Sequence, residues 1–571
     1  MTRLLAALVA SAIAALAAGS SPAGAAAYPP EGPYRAAQHA YDLGRQTLML
    51  QGAGLRLHAF PTRLAGELTF PVGATGLRPV VVFLHGAHQS CELPGALLPT
   101  QDWPCRPSFL DVESFTGYRY VARILASHGF VVLSIDGNPV APADGGVLTF
   151  PDGAPLTART FMDMRAKIVD LQLRRLDRAN RGEQGAAVDF GRSLGGRVDL
   201  ARVGLVGHSR GGEGVVWASL LPGPRPYRIR AIASLAPVDF FRRLLPDVPF
   251  ALLLPACDGD VFDLQGGYYF DDARDRPRAS PLWQAVVLGG NHNFFNSVWE
   301  DELGFFLPEP GARRDPCASD QIGRTRLSRA DQEAVAAGVI VPFMRGFVGR
   351  AHRSVVERLG FGGPIPSTIA RAAVDVSYQP PTDDRLDVIR PARSADLRRN
   401  LLGGAQRAFG LAAYGLCRYD VGSLDGGGEV RGCGPEPALQ AHALAELRVA
   451  WSRRGGRLVT AIPPSYGDVR AYEAVSIRAV PDPSDRKRNP PGIPRPFSLA
   501  LRDTSGRVAT VAVGRNHPAV RYPVRVAALG TVRIPLAAFT GVDLSHIAEV
   551  QIRFDRTRKG RLLLADLSFV R

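Results

Sequence analysis

An α/β fold, with a mostly parallel sheet flanked by helices and a C-terminal β-sandwich behind it, is what this sequence predicts. Two textures carry that expectation. Over residues 28–365, short β-branched apolar runs alternate with longer helical patterns, as in strand–helix–strand units. Over residues 366–571, short strands punctuated by Gly and Pro replace the helical patterns. A chain of 571 residues also exceeds one ordinary core, so two folded units are expected.

Taken in order, the chain opens with Arg3, an apolar run over residues 4–18 and small-x-small steps at Ala23-Gly24-Ala25 and Ala25-Ala26-Ala27. This reads as a secretory signal peptide over residues 1–27, too short to span a bilayer, and no later segment is long and apolar enough to do so. Runs at 80–84, 130–135, 203–206, 232–235, 250–254 and 285–288 predict strands, each ending in turn residues. Residues 118–128 place Tyr118, Val121, Ile124 and Leu125 on one face before Gly129, which predicts a helix. Gly362, Gly363, Pro364, Pro366, Pro380 and Pro381 break regular structure, and the boundary is set there. Beyond it, 474–480, 497–502, 531–535, 549–554 and 562–567 predict strands of the second unit.

Hydrophobic residues at 46% and charged residues at 21% describe a globular chain and exclude a largely disordered one. The net charge of +15 does not mark a nucleic-acid binder, because the chain has lysine only at Lys167, Lys487 and Lys559 and its arginines are dispersed. The field they create favours anionic surfaces or acidic polymers outside the cell. Six cysteines in an exported chain predict disulfides. The close pairs Cys91/Cys105 and Cys417/Cys433 suggest local bridges, which leaves Cys257 with Cys317. No C-x-x-C spacing suggests a metal, and no cofactor is implied.

Chemistry concentrates at Gly207-His208-Ser209-Arg210-Gly211, an apolar run passing into G-x-S-x-G and then a helical pattern. Glycines on either side let the chain turn sharply and project the Ser209 hydroxyl. Gly191-Arg192-Ser193-Leu194-Gly195 matches the same pattern but follows a polar loop, so Ser209 is preferred over Ser193. A serine nucleophile needs a base, and the base needs a carboxylate to fix its tautomer. His292, in the loop after 285–288, is the candidate base, and Asp258, after 250–254 and in a D-x-x-V arrangement with Val261, is the preferred acid, with Asp260 as the alternate. Oxyanion donors are expected from the backbone N–H groups of Ala87, in the loop after 80–84, and Arg210. His85 and His88 are assigned no proton-transfer role.

Phe83-Leu84-His85-Gly86-Ala87-His88, the G-x-S-x-G segment and Asn291-His292-Asn293-Phe294-Phe295 together resemble secreted bacterial α/β-hydrolases of the dienelactone-hydrolase, platelet-activating-factor-acetylhydrolase and cutinase-like esterase groups. The resemblance covers about residues 40–350. It implies an α/β-hydrolase fold, a carboxylic ester substrate (small molecule, lipid or polymer), no cofactor, and the roles just given to Ser209, His292, Asp258 or Asp260, Ala87 and Arg210. Arg210 stands where polyester hydrolases commonly carry Met, which argues against polyester cleavage. Near the C-terminus, Val532-Arg533-Ile534-Pro535, Gly541-Val542-Asp543-Leu544 and Leu564-Ala565-Asp566-Leu567 resemble jelly-roll modules that accompany carbohydrate enzymes and often bind glycans. Trp451, Tyr466 and Tyr472 are the candidates for sugar stacking. An amidase or peptidase using the same triad, and a non-catalytic surface or glycan-binding protein, are the competing expectations.

Overall fold

A computed structural model describes residues 29–52, 56–94, 100–144, 149–187, 189–191, 194–261, 263–299, 326–352, 354, 374–418, 433, 445–521 and 528–571. Residues 1–27, Ser193 and Cys317 lie outside these, and with them the expected signal peptide, the second G-x-S-x-G serine and one disulfide partner.

The strands are β1 (Ala36–Gln51), β2 (Leu57–Pro71), β3 (Arg78–Leu84), the two-residue β4 (Cys91–Glu92) and β5 (Leu110–Asp111), β6 (Val131–Ile135), β7 (Val198–His208), β8 (Ile229–Leu235), β9 (Phe250–Pro255), β10 (Leu282–Val287), β11 (Val374–Gln379), β12 (Arg385–Ile389), β13 (Gln406–Phe409), β14 (Ala413–Arg418), β15 (Ala445–Trp451), β16 (Gly456–Ala461), β17 (Ala474–Pro481), β18 (Ser498–Asp503), β19 (Val508–Ala512), β20 (Gly530–Pro535), β21 (Ile547–Phe554) and β22 (Gly560–Val570). The helices are α1 (Arg119–Ser127), α2 (Ala141–Asp144), α3 (Ala158–Asn180), α4 (Arg210–Ser219), α5 (Gly267–Ala273) and α6 (Arg329–Phe347).

A nine-stranded sheet in the order β1-β2-β6-β3-β7-β8-β9-β10-β11 forms the first body. Its centre, β6 through β10, is parallel, whereas β1/β2, β2/β6 and β10/β11 pair antiparallel. β3 shows how the centre is built. Val80, Val82 and Leu84 enter one core with Ile168, Val169 and Leu173 of α3, while Val81 and Phe83 enter another with Val121 and Leu125 of α1 and Ile340 and Met344 of α6. That period-two alternation, apolar on both faces, is why these strands read as continuous hydrophobic runs.

Two antiparallel sheets follow, β14-β15-β22-β17-β20 with β12 joined to β22, and β13-β16-β21-β18-β19. Leu447, Ile477 and Leu564 of the one share a core with Leu458, Leu499 and Ile552 of the other. β11, from the C-terminal side of the expected boundary, belongs to the nine-stranded sheet.

The expected fold class, a helix-flanked, mostly parallel α/β-hydrolase sheet with an appended jelly-roll-like sandwich, is overturned. The structure is mostly β, 36% strand against 22% helix, with one mixed sheet and several antiparallel ones. The physical reason lies in the strands that carry a polar face. β1 exposes Gln38, Ala40 and Asp42 on one face and His39 on the other, so its sequence offers no continuous apolar run.

Candidate active site

β7 ends at His208, and Ser209 adopts φ 56° and ψ −128° before α4 begins at Arg210. A non-glycine residue in this left-handed region costs about 1–3 kcal/mol, and the neighbours must hold it there. They do so by closeness: a Cβ on Gly207 would lie 2.2 Å from the Gly211 carbonyl oxygen, and one on Gly211 would lie 2.3 Å from that of Leu84. Ser209 N–H donates to the Leu235 carbonyl at 2.9 Å, and the Ser209 carbonyl accepts from Gly212 N–H at 2.8 Å.

The loop after β3 packs directly on this serine. A Cβ on Gly86 would stand 2.4 Å from Ser209 Cβ and 2.9 Å from its Oγ, so only glycine allows the approach. His85 fixes the loop. Its Nε2 accepts from Gly137 N–H at 2.7 Å, so Nδ1 carries the proton and donates to the Gly86 carbonyl at 2.9 Å. Ala87 follows on the same loop. Arg210 occupies the first position of α4, where backbone N–H groups have no intrahelical acceptor. The Arg210 side chain points elsewhere: Nη1 binds Asp144 Oδ1 at 2.7 Å, and the buried Arg165 binds the other oxygen of that carboxylate.

The loops after β9 and β10 bring Asp258 to His292. Asp258 Oδ2 lies 2.9 Å from His292 Nδ1, and its Oδ1 accepts from the backbone N–H groups of Asp260 at 3.0 Å and Val261 at 2.6 Å. Both side chains are buried. Asp260 differs: its carboxylate is 47% exposed and lies 3.6 Å from the other ring nitrogen, Nε2. Cys257 N–H donates to the Gly290 carbonyl at 2.9 Å, tying the two loops together.

Two residues outside the sequence expectation hold the histidine loop. Gln332 of α6 brackets Asn291, accepting its N–H at 2.9 Å and donating to its carbonyl at 2.6 Å. His208 Nε2 donates to the His292 carbonyl at 3.0 Å, and Tyr118 OH donates to His208 Nδ1 at 3.1 Å. Burial, then the nearby His292, pushes the His208 pKa well below its ordinary value, so the ring stays neutral. Trp299, fully buried, stacks on His208 at 4.6 Å and on His88 at 4.7 Å. Burial pushes His88 down to about 4, which keeps it neutral as well. No signal in the sequence marks His208 or Gln332, because their partners are distant in the chain.

Glu213, one turn into α4, is fully buried and accepts from the N–H groups of Phe240 and Phe241 and from Trp217 Nε1. Burial pushes its carboxyl up to about 7. Cys91 pairs with Cys105 and Cys417 with Cys433, while Cys257 is also disulfide-bonded. Among the described residues, no helix is long and apolar enough to cross a membrane. Of the sugar-stacking candidates, Trp451 is corrected: it is fully buried against Phe554, and its Nε1 donates to the Thr557 carbonyl. Tyr472 is half-buried, and Tyr466 is 42% exposed. No protein-family model and no curated protein matches the chain.

Proposed function

We propose that this protein is an exported serine hydrolase that cleaves carboxylic esters through an acyl-enzyme. The observation that carries the proposal is the buried Asp258–His292 contact of 2.9 Å, whose histidine loop is held through its carbonyl by His208, the residue before Ser209 in the strained strand-to-helix turn. Ser209 Oγ attacks the ester carbonyl while His292 takes its proton, and Asp258 holds the ring tautomer and stabilises the imidazolium. The developing oxyanion accepts from the backbone N–H groups of Ala87 and Arg210. His292 then protonates the departing alkoxide. A water deprotonated by the same histidine attacks the acyl-serine, releasing the carboxylic acid and restoring Ser209. Asp260, half-exposed on the Nε2 side, has no place in this relay. The disulfides Cys91–Cys105 and Cys417–Cys433, with Cys257 also disulfide-bonded, favour an oxidising compartment, in keeping with a signal peptide over residues 1–27.

Hydrolysis of p-nitrophenyl esters from acetate to palmitate tests the proposal, with p-nitroanilides alongside because amide cleavage uses the same groups. Esters turned over by wild type and by Ser193→Ala, and not by Ser209→Ala, support it. Activity on anilides alone would move the reading to an amidase. No turnover of either class would favour a binding protein.

A further inference from the structure

Away from the proposed site, α5 faces the sheet of β17, β20 and β22 across a cavity of about 30 Å³. Arg478 of β17 dominates it and is 4% exposed. Its guanidinium lies over the Phe270 ring of α5 at 4.9 Å, and its Nη1 binds Asp271 Oδ1 at 2.8 Å and Asp566 Oδ2 at 3.1 Å. Asp566 turns inward at a β-bulge, where the β17/β22 register slips and its own φ is 51°. The other oxygen of Asp566 accepts from Arg274 Nη1 at 2.7 Å.

One nitrogen of Arg478 therefore holds both carboxylates. Its Nε and Nη2, and the hydroxyl of the cross-strand neighbour Thr531, find no hydrogen-bond partner among the described residues. Both Arg478 and Thr531 line the cavity. Arg385 and Arg390 also line it and share Asp387. Four guanidinium groups thus meet three carboxylates, those of Asp271, Asp387 and Asp566. The next acid, Asp275, is 3.5 Å from Arg390 and 3.6 Å from Arg274 but 59% exposed, so water screens its charge.

Unpaired donors on two residues that line one cavity, with more guanidinium groups than buried carboxylates around it, call for an acceptor that carries negative charge and brings no protons of its own. The small volume favours a monatomic anion over sulfate, phosphate or a carboxylate. We propose that this cavity binds one halide ion, chloride in practice, between Arg478, Thr531 and the neighbouring arginines. The ion ties α5, which follows the Asp258 loop, to the β17–β22 sheet, and it does so whether or not Ser209 is catalytic.

Thermal unfolding of the full chain in sodium chloride, sodium bromide and sodium gluconate at equal ionic strength tests this, together with the anomalous signal from crystals grown in bromide. A saturable rise of about 2 °C with either halide over gluconate is expected, with a bromide peak beside Arg478. Thr531→Val, which removes one donor at nearly constant volume, is expected to raise the halide midpoint several-fold. Equal melting in the three salts, or a halide response that never saturates and is unchanged in Thr531→Val, overturns the proposal. So does a cavity without a bromide peak.

Discussion

Replacing Asp258 by Asn separates the two carboxylates near His292. The amide oxygen can still accept from Asp260 and Val261 N–H, so the loop keeps two of its three bonds to this side chain. What changes is the atom facing His292 Nδ1, where an –NH2 donor replaces the carboxylate oxygen 2.9 Å away. The ring then presents its Nδ1 lone pair to that donor and moves its proton to Nε2. His292 can no longer accept the Ser209 proton. A wrong tautomer in a serine triad costs about 10⁴-fold in kcat, or roughly 5.5 kcal/mol of transition-state stabilisation. The lost charge-assisted bond costs the fold about 1.5–3 kcal/mol, little enough for the variant to be assayed folded. Asp260→Asn, altering a half-exposed carboxylate 3.6 Å from Nε2, is expected to change kcat by about threefold or less. Steady-state hydrolysis of p-nitrophenyl acetate by both variants, with circular dichroism as the folding control, measures this. Asp258→Asn keeping a tenth of wild-type activity, or Asp260→Asn proving the inactive one, would refute the assignment.

Three further outcomes follow from the same geometry. Gly86→Ala, whose Cβ would stand 2.4 Å from Ser209 Cβ, is expected to lower kcat about 100-fold or more while Ser209 stays in place, as ester kinetics and thermal unfolding together will read. His208→Phe leaves the His292 carbonyl without its donor, and a loss in kcat of about tenfold or more with little change in KM is expected. Glu213 has its carboxyl raised by burial from 4.5 to about 7, so the folded state holds this proton longer than the unfolded chain does. Its contribution to stability is full below pH about 4.5 and is lost as pH rises through 7, by about 3 kcal/mol at most. Urea unfolding of wild type and Glu213→Gln from pH 5 to 8 is expected to show the flatter profile in the variant.

The Asp258–His292 pair, the sharp turn at Ser209 and part of the fold were legible in the sequence, for reasons tied to particular residues. The six apolar runs lie in β3, β6, β7, β8, β9 and β10, because strands buried on both faces leave continuous hydrophobic segments. β1, β2 and β11 left no such mark, and counting only the apolar runs gave the wrong fold class. At the site, glycines and a serine after an apolar run announce a sharp turn, and loops after strands are where polar groups gather. The choice between Asp258 and Asp260 leaned to Asp258 on its D-x-x-V spacing to Val261 but was not decided by it. What distinguishes Asp258 in the fold is that it also accepts two backbone N–H groups of its own loop, from Asp260 and Val261. His208 lies inside the recognised motif, yet its partners Tyr118 and His292 are 90 and 84 residues away. Gln332 reaches Asn291 across 41 residues. Contacts of that range are set by packing, and one sequence does not display them.

The most direct test of the central claim needs no knowledge of the ester. Wild type, Ser209→Ala and heat-unfolded wild type are treated with a fluorophosphonate, and the phosphonylated peptide is located by mass spectrometry. A single adduct on Ser209, formed by the folded wild type and by neither control, is the expected result. An adduct on Ser193, or none on the folded protein, would contradict the assignment of Ser209 as an activated nucleophile.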